Sequence, residues 1–310
     1  MSTHILHGDR AYVRRATAVG GMAIVLWSTL ALLTTLLGEI PPFQLVAMSF
    51  TIAFLVGTAV AAARGRDMIA PLRQPWPVWL LGVGGLFGYH FFYFLAFRLA
   101  PDAAVEVNLL NYLWPLLIVL FSALLPGERL KRGHVLGGLL GLAGTVLLVT
   151  GKGRGLSIDA ASLPGYLSAA TCALVWAAYS VLSRRFGNVP TEAVGGFCLA
   201  TAVLAALCHL LFERTVAPGA TEWLLLLLIG TGPVGAAFFV WDHGVKRGDI
   251  RALGAMSYAT PLLSTFLLIL FGRAEAGWMV WVACGLIVGG AVMASWDVLK
   301  GRRMAEAASA

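Results

Sequence analysis

The sequence predicts an all-α integral membrane protein of ten transmembrane helices, arranged as two inverted five-helix repeats. Three observations carry that expectation. Of 310 residues, 59% are hydrophobic and only 12% charged, where a soluble domain carries about a quarter charged residues. Apolar blocks near the roughly 20 residues needed to cross a bilayer recur along the whole chain. The two halves of the chain also match one another at an offset of about 147 residues.

In order, the blocks run over residues 16–37, 42–63, 76–98, 103–124, 133–150, 164–185, 192–212, 222–242, 252–272 and 276–299. The first holds Trp27 with Ser28, Thr29, Thr34 and Thr35, and no small-residue cleavage site leads from it into a hydrophilic region. It reads as a span rather than a signal peptide. Arg14-Arg15 reads as an anchoring flank rather than a twin-arginine start. Residues 16–150 form the first repeat and 164–299 the second, with an external linker at 151–163 and cytoplasmic tails at 1–15 and 300–310. Cys172, Cys198, Cys208 and Cys284 all fall inside predicted spans, so no disulfide framework is implied.

The net charge of +7 would suggest nucleic-acid binding in a soluble chain. Here the charges sit between apolar blocks without a basic stripe, so they read as topology. One side of the predicted membrane carries 17 of the 22 Lys and Arg residues, including Arg14, Arg15, Arg64, Arg66, Arg73, Arg184, Arg185, Lys246, Arg247 and Arg251. The other carries five: Arg98, Lys152, Arg154, Arg214 and Arg273. Because cytoplasmic loops hold the basic excess, both termini are expected in the cytoplasm, in agreement with an even number of spans.

The internal repeat is carried by several matches in register. Tyr112-Leu-Trp-Pro115-Leu-Leu in the fourth span matches Tyr258-Ala-Thr-Pro261-Leu-Leu in the ninth. Gly85, Gly88, Phe91 and Phe92 match Gly232, Gly235, Phe238 and Phe239, Trp27 matches Trp176, and Gly137 and Gly141 match Gly285 and Gly289. Five spans per repeat is an odd number, so the second copy enters the membrane from the opposite side. That symmetry suits a carrier binding its solute near the midplane between the repeats. With the Pro115 and Pro261 helices and the Gly127-Glu128-Arg129 step, the chain resembles the drug/metabolite transporter superfamily in its ten-helix form with two EamA-type repeats. Within it the chain is most similar to the exporters of aromatic amino acids and methionine. The second repeat lacks the Gly-Glu step, having Gly272-Arg-Ala-Glu275, and Glu275 receives no matched role.

Polar groups in the hydrocarbon are expensive, so those near a span centre are functional candidates. The candidate substrate-binding residues are Trp27, Tyr89, His90, Tyr93, Asn108, Asn111, Tyr112, Trp114, Trp176 and Tyr258. Tyr89 and Tyr93, like Asn108 and Tyr112, are four apart and share a helix face. The repeat sharpens the choice: Tyr89 and His90 align with Ala236 and Ala237, Asn111 with Ser257, and Trp114 with Thr260, so the first copy supplies the larger groups. Core packing is the competing reading of these aromatics. His90 reads as a substrate contact, a buried imidazole paired to a carbonyl, or a proton carrier. Glu106 reads as an external gate or proton-coupling group, or as a carboxylate solvated at a helix start. Pro115 and Pro261 are candidate hinges whose rings would free the carbonyls of Asn111 and Ser257, with a packing kink as the alternative. The GxxxG pairs read as close helix contacts in the bundle or a dimer, compatible with a monomer or weak homodimer.

Absences narrow the cargo. With no midspan Lys or Arg, a phosphorylated solute lacks its usual partner. With no midplane Asp or Glu, a multidrug or organic-cation exporter is the second choice. No HExxH, Gly-x-Ser-x-Gly or midspan carboxylate pair suggests an enzyme, no cofactor or metal is implied, and no soluble output domain suggests a sensor. The expectation is therefore export of aromatic and other large neutral amino acids, methionine included, across the bacterial inner membrane by alternating access.

Overall fold

The computed structural model describes residues 2–67, 69–126, 130–150, 159–274 and 277–294, with side chains from residue 11 onward. The Gly127-Glu128-Arg129 step, Glu275, most of the 151–163 linker and the 300–310 tail lie outside them. Among the described residues the fold is helical throughout, as expected. Nine spans among the described residues are long and apolar enough to cross a membrane: Ala11–Leu36, Pro42–Ala63, Trp76–Leu99, Ala104–Leu124, Arg132–Thr150, Ala160–Phe186, Ala193–Phe212, Ala220–Arg247 and Ile250–Leu270. A tenth apolar helix, Trp278–Ala294, follows. These are spans one to ten below. Leu210, Leu211 and Leu270 are more than 70% exposed, as side chains facing acyl chains rather than water should be. Exposed Trp76, Trp223 and Trp278 stand near span ends, where amphipathic rings anchor at the headgroup level.

The repeats interlock. The first span packs on the eighth, the second on the seventh, the third on the sixth and the fifth on the tenth, while the second half of the fourth meets the first half of the ninth. Exchanging the repeats turns the first-eighth pair into the sixth-third pair, so the pairing obeys the symmetry read from the sequence. Close approach depends on small residues at several crossings. A methyl group added at Gly20 would stand 2.8 Å from the Cα of Gly244, so the first and eighth spans meet backbone to backbone. Gly137 likewise meets the backbone of Gly290 and Ala294. Of the two expected GxxxG pairs, Gly137 and Gly141 make close contacts within the bundle, whereas Gly285 and Gly289 face open space and the contact face of the tenth span carries Gly290.

Polar contacts knit the loops into two ends. At the basic end Arg66 pairs with Glu192, Arg184 Nη1 donates to the carbonyls of Val245 and Gly248 at 3.2 and 2.6 Å, and Asp249 N donates to Thr17 Oγ1 at 2.8 Å. At the opposite end the Glu213 carboxylate accepts from the backbone N–H groups of Phe43 and Gln44 at 2.9 and 3.1 Å, satisfying donors the second span cannot pair internally.

Four spans are interrupted at mid-depth. The first breaks at Thr29 between helices Ser2–Ser28 and Leu30–Leu36, the fourth at Tyr112-Leu113, and the ninth at Ser257-Tyr258. The eighth passes through a π-helical turn, Gly232–Ala236, that contains Pro233. Pro115 and Pro261 sit in the first turn of the helices after their breaks, where a missing N–H costs nothing. The Ser257 carbonyl is not freed as expected: it accepts from Thr260 N at 3.0 Å, because the chain turns there instead of kinking.

Candidate functional site

The breaks surround a cavity of about 470 Å³, within the range of ordinary ligand sites. Eight of the ten predicted binding residues line it: Trp27, Tyr89, His90, Tyr93, Asn111, Tyr112, Trp114 and Trp176. Asn108 stands behind them, its Oδ1 accepting from Tyr93 Oη at 3.1 Å. Tyr258 lies elsewhere: fully buried, it covers Gly141 and packs with Leu148, Leu262 and Ile287. The break between Ser257 and Tyr258 is what directs the ring toward the fifth and tenth spans. Glu106, half-buried in the first turn of the fourth span, and the two prolines are not lining residues.

Aromatic rings form the closed end of the cavity. Trp27 stands edge-on to Trp114 and Trp176, with centroids 6.2 and 5.6 Å away, and Trp241 lies 5.1 Å from Trp27 and stacks on Trp176 at 6.2 Å. Phe238 meets Trp27 and Trp176 and stacks on Phe50, which in turn meets the His90 ring edge to face at 5.2 Å. These offset and T-shaped geometries suit the ring quadrupoles. Trp241, Phe238 and Phe50 were not among the sequence candidates. Phe50 and Phe238 line the cavity, whereas Trp241 backs the tryptophans from behind; the repeat offset held a signal for it, since it aligns Trp241 with the lining residue Phe94.

The polar groups are few and ordered. His90 Nδ1–H donates to the Leu86 carbonyl at 2.7 Å; a neutral ring held this way keeps its lone pair on Nε2. Asn111 Nδ2 donates to Tyr89 Oη at 3.2 Å while Cys172 Sγ donates to Asn111 Oδ1 at 3.3 Å. The Tyr89 hydroxyl proton therefore remains to be donated elsewhere. Thr260 Oγ1, at the cavity wall, is buried with no hydrogen-bond partner among the described residues. Among the described residues no Asp, Glu, Lys or Arg lines the cavity.

The lining residues run from the tryptophans to Leu37, Gly38 and Pro42, at the end opposite the basic loops. Toward the basic end Trp241, Val245 and Leu253 are each without solvent exposure. Among the described residues no group of His, Cys, Asp and Glu could hold a metal ion.

Interlocked inverted repeats around a mid-depth cavity bounded by broken helices define a membrane carrier. The model of the EamA-like transporter family matches residues 17–150 and again 163–296, and the chain belongs to that family. It is 58% identical over 280 residues to the aromatic amino acid exporter YddG of Ancylobacter novellus, covering 90% of this chain and 96% of that one. The YddG of Escherichia coli strain K12 is 28% identical over 291 residues, again covering 90% and 96%. A solved crystal structure with 56% identity matches at a TM-score of 0.89 over 93% of this chain and 98% of its own.

Proposed function

We propose that the protein exports aromatic and other large neutral amino acids, methionine included, across the bacterial cytoplasmic membrane by alternating access. The observation that carries this reading is a cavity of about 470 Å³ walled by aromatic rings and lined, among the described residues, by no Asp, Glu, Lys or Arg. Such a site favours a zwitterion with a large apolar side chain. An aromatic substrate side chain gains roughly 0.5–1.5 kcal/mol per ring contact beyond the area it buries, and the tryptophan faces attract an ammonium group. In the assigned roles, His90 Nε2 accepts from the ammonium, and the Tyr89 hydroxyl and Thr260 donate to the carboxylate. The names of the curated relatives support the same substrate class.

With the basic end in the cytoplasm, as the Lys and Arg distribution favours, the cavity reaches the external side and the arrangement is outward-facing. The interlocked pairing supports rocking of one set of helices against the other, with the breaks in spans one, four, eight and nine as flexible points. An organic-cation exporter fits less well, since no carboxylate among the described residues lines the cavity.

Flux in proteoliposomes tests the proposal. Purified protein should move labelled tryptophan, phenylalanine and methionine, and leave glycine, a sugar phosphate and an organic dication nearly unmoved. Flux of the dication or the sugar phosphate without amino-acid flux sinks the reading.

A further inference from the structure

The eighth span was expected to end at Asp242, leaving Lys246 in a loop, but the helix continues to Arg247 and buries both side chains. Asp242 and Lys246, one turn apart, are 2% and 3% exposed and 2.8 Å from each other. Thr191 Oγ1 donates to Asp242 Oδ2 at 2.8 Å, and Lys246 Nζ donates to the Val189 carbonyl at 3.1 Å. Both of those bonds leave the eighth span for the connection between spans six and seven.

The residue before Asp242 is Trp241, whose Nε1 donates to Ser180 Oγ of the sixth span at 3.1 Å and whose ring touches Trp27, Trp114 and Trp176. Trp241 is thus the layer between the cavity and the basic end. By the repeat offset its counterpart is Phe94, which lines the cavity on the open side. In an inverted repeat, what lines the open half in one copy lines the opposite half in the other once access switches.

We propose that Asp242, Lys246 and Thr191 form the cytoplasmic latch of the transport cycle, holding Trp241 shut over the inner end of the cavity. The proposal rests on the carrier reading and adds the residues that gate it. A buried ion pair is by itself weak evidence for a stabilising role. What singles this one out is that its partners lie on a different element, so opening the basic end must break the Thr191 and Val189 bonds. The cluster then sets the balance between the two access states, and Trp241 follows its neighbour on the helix.

Two single-cysteine probes in the reconstituted full-length protein read the latch directly, with the four native cysteines controlled by the unsubstituted parent. Val245→Cys reports the basic end and Thr34→Cys the open end, each through its rate of alkylation by a membrane-impermeant maleimide. Asp242→Asn combined with Lys246→Gln, which leaves no unpaired buried charge, should raise labelling at 245 and lower it at 34, the two fold-changes multiplying to about ten if a latch worth a tenfold population shift is lost. Thr191→Val should act in the same direction and Thr191→Ser should restore the parent rates. A merely structural role would lower the melting temperature without opposite changes at the two probes. Unchanged labelling at both probes in folded Thr191→Val protein would overturn the latch. The labelling needs no substrate, so loss of the amino-acid reading would show separately, as absent tryptophan flux in the parent.

Discussion

At the scale of single residues, the cavity separates ring contacts from polar ones, and the two make different predictions. Trp176→Ala and Trp114→Ala each remove a ring from the closed end. At roughly 0.5–1.5 kcal/mol per aromatic contact, each should raise KM for tryptophan export about 2- to 12-fold, and less for methionine, in proteoliposome flux. His90→Phe keeps a ring against Phe50 but removes Nε2. Since a hydrogen bond to a charged group is worth about 1.5–3 kcal/mol, KM for tryptophan should rise at least about tenfold, whereas inhibition by 3-indolepropionate, which lacks the ammonium, should be unaffected. If both ligands weaken equally, His90 is a packing residue. At the basic end the backbone N–H groups of Ile69 and Ala70 hold the exposed Asp67 carboxyl below its ordinary range. A depressed carboxylate contributes above its unfolded value and loses that contribution as pH falls through the depressed one. Protection of the Ile69 and Ala70 amides, taken relative to the intrinsic exchange rate at each pH, should therefore fall only in that acid window, as NMR in micelles would record. Polar cost in lipid made Tyr89, His90, Asn111 and Tyr112 legible in the sequence. Phe50 and Phe238 were not, because an apolar ring at mid-span costs nothing and carries no mark of which face it occupies.

At the scale of elements, apolar block length located the spans to within a few residues, while the breaks within them escaped. Pro115 and Pro261 announced irregular backbone, but a proline reads alike as a kink inside a helix or as the first turn of a new one. The second outcome, seen at Trp114–Phe121 and Ala259–Leu270, pairs the Ser257 carbonyl and turns Tyr258 away from the cavity. Nor did the GxxxG spacing show which face of the tenth helix is the contact face. The register of the tenth helix is testable through stability. Gly137→Val must displace the backbone of Gly290 and Ala294 and should destabilise the protein by about 1–3 kcal/mol, the usual cost of overpacking. Gly289→Val meets open space and should leave the melting temperature in detergent nearly unchanged. Equal losses for the two would mean that Gly289 belongs to an interface between copies of the chain.

At the scale of the whole molecule, the repeat offset supplied the symmetry but not the pairing. Sequence alone allowed two five-helix blocks side by side, whereas the structure pairs first with eighth, second with seventh and third with sixth, so that neither repeat is complete without the other. Only the close crossings reveal this, and a glycine does not name its partner. Orientation rests on a different whole-chain property, the division of Lys and Arg between the two ends. The described contacts gather Arg66, Arg184, Lys246 and Asp249 at one end and Phe43, Gln44 and Glu213 at the other. If the basic end is cytoplasmic, Glu222→Cys, beside Gly38 at the opposite end, should react with a membrane-impermeant thiol reagent on intact cells. Arg64→Cys should react only after permeabilisation. The same pair of measurements fixes the state of the carrier, because the cavity reaches the end that bears Gly38 and Pro42. Labelling in the predicted sense makes the structure outward-facing and places the Asp242 latch on the cytoplasmic side. The reverse pattern would turn the cavity toward the cytoplasm, make the arrangement the loading state, and move the latch to the outer gate.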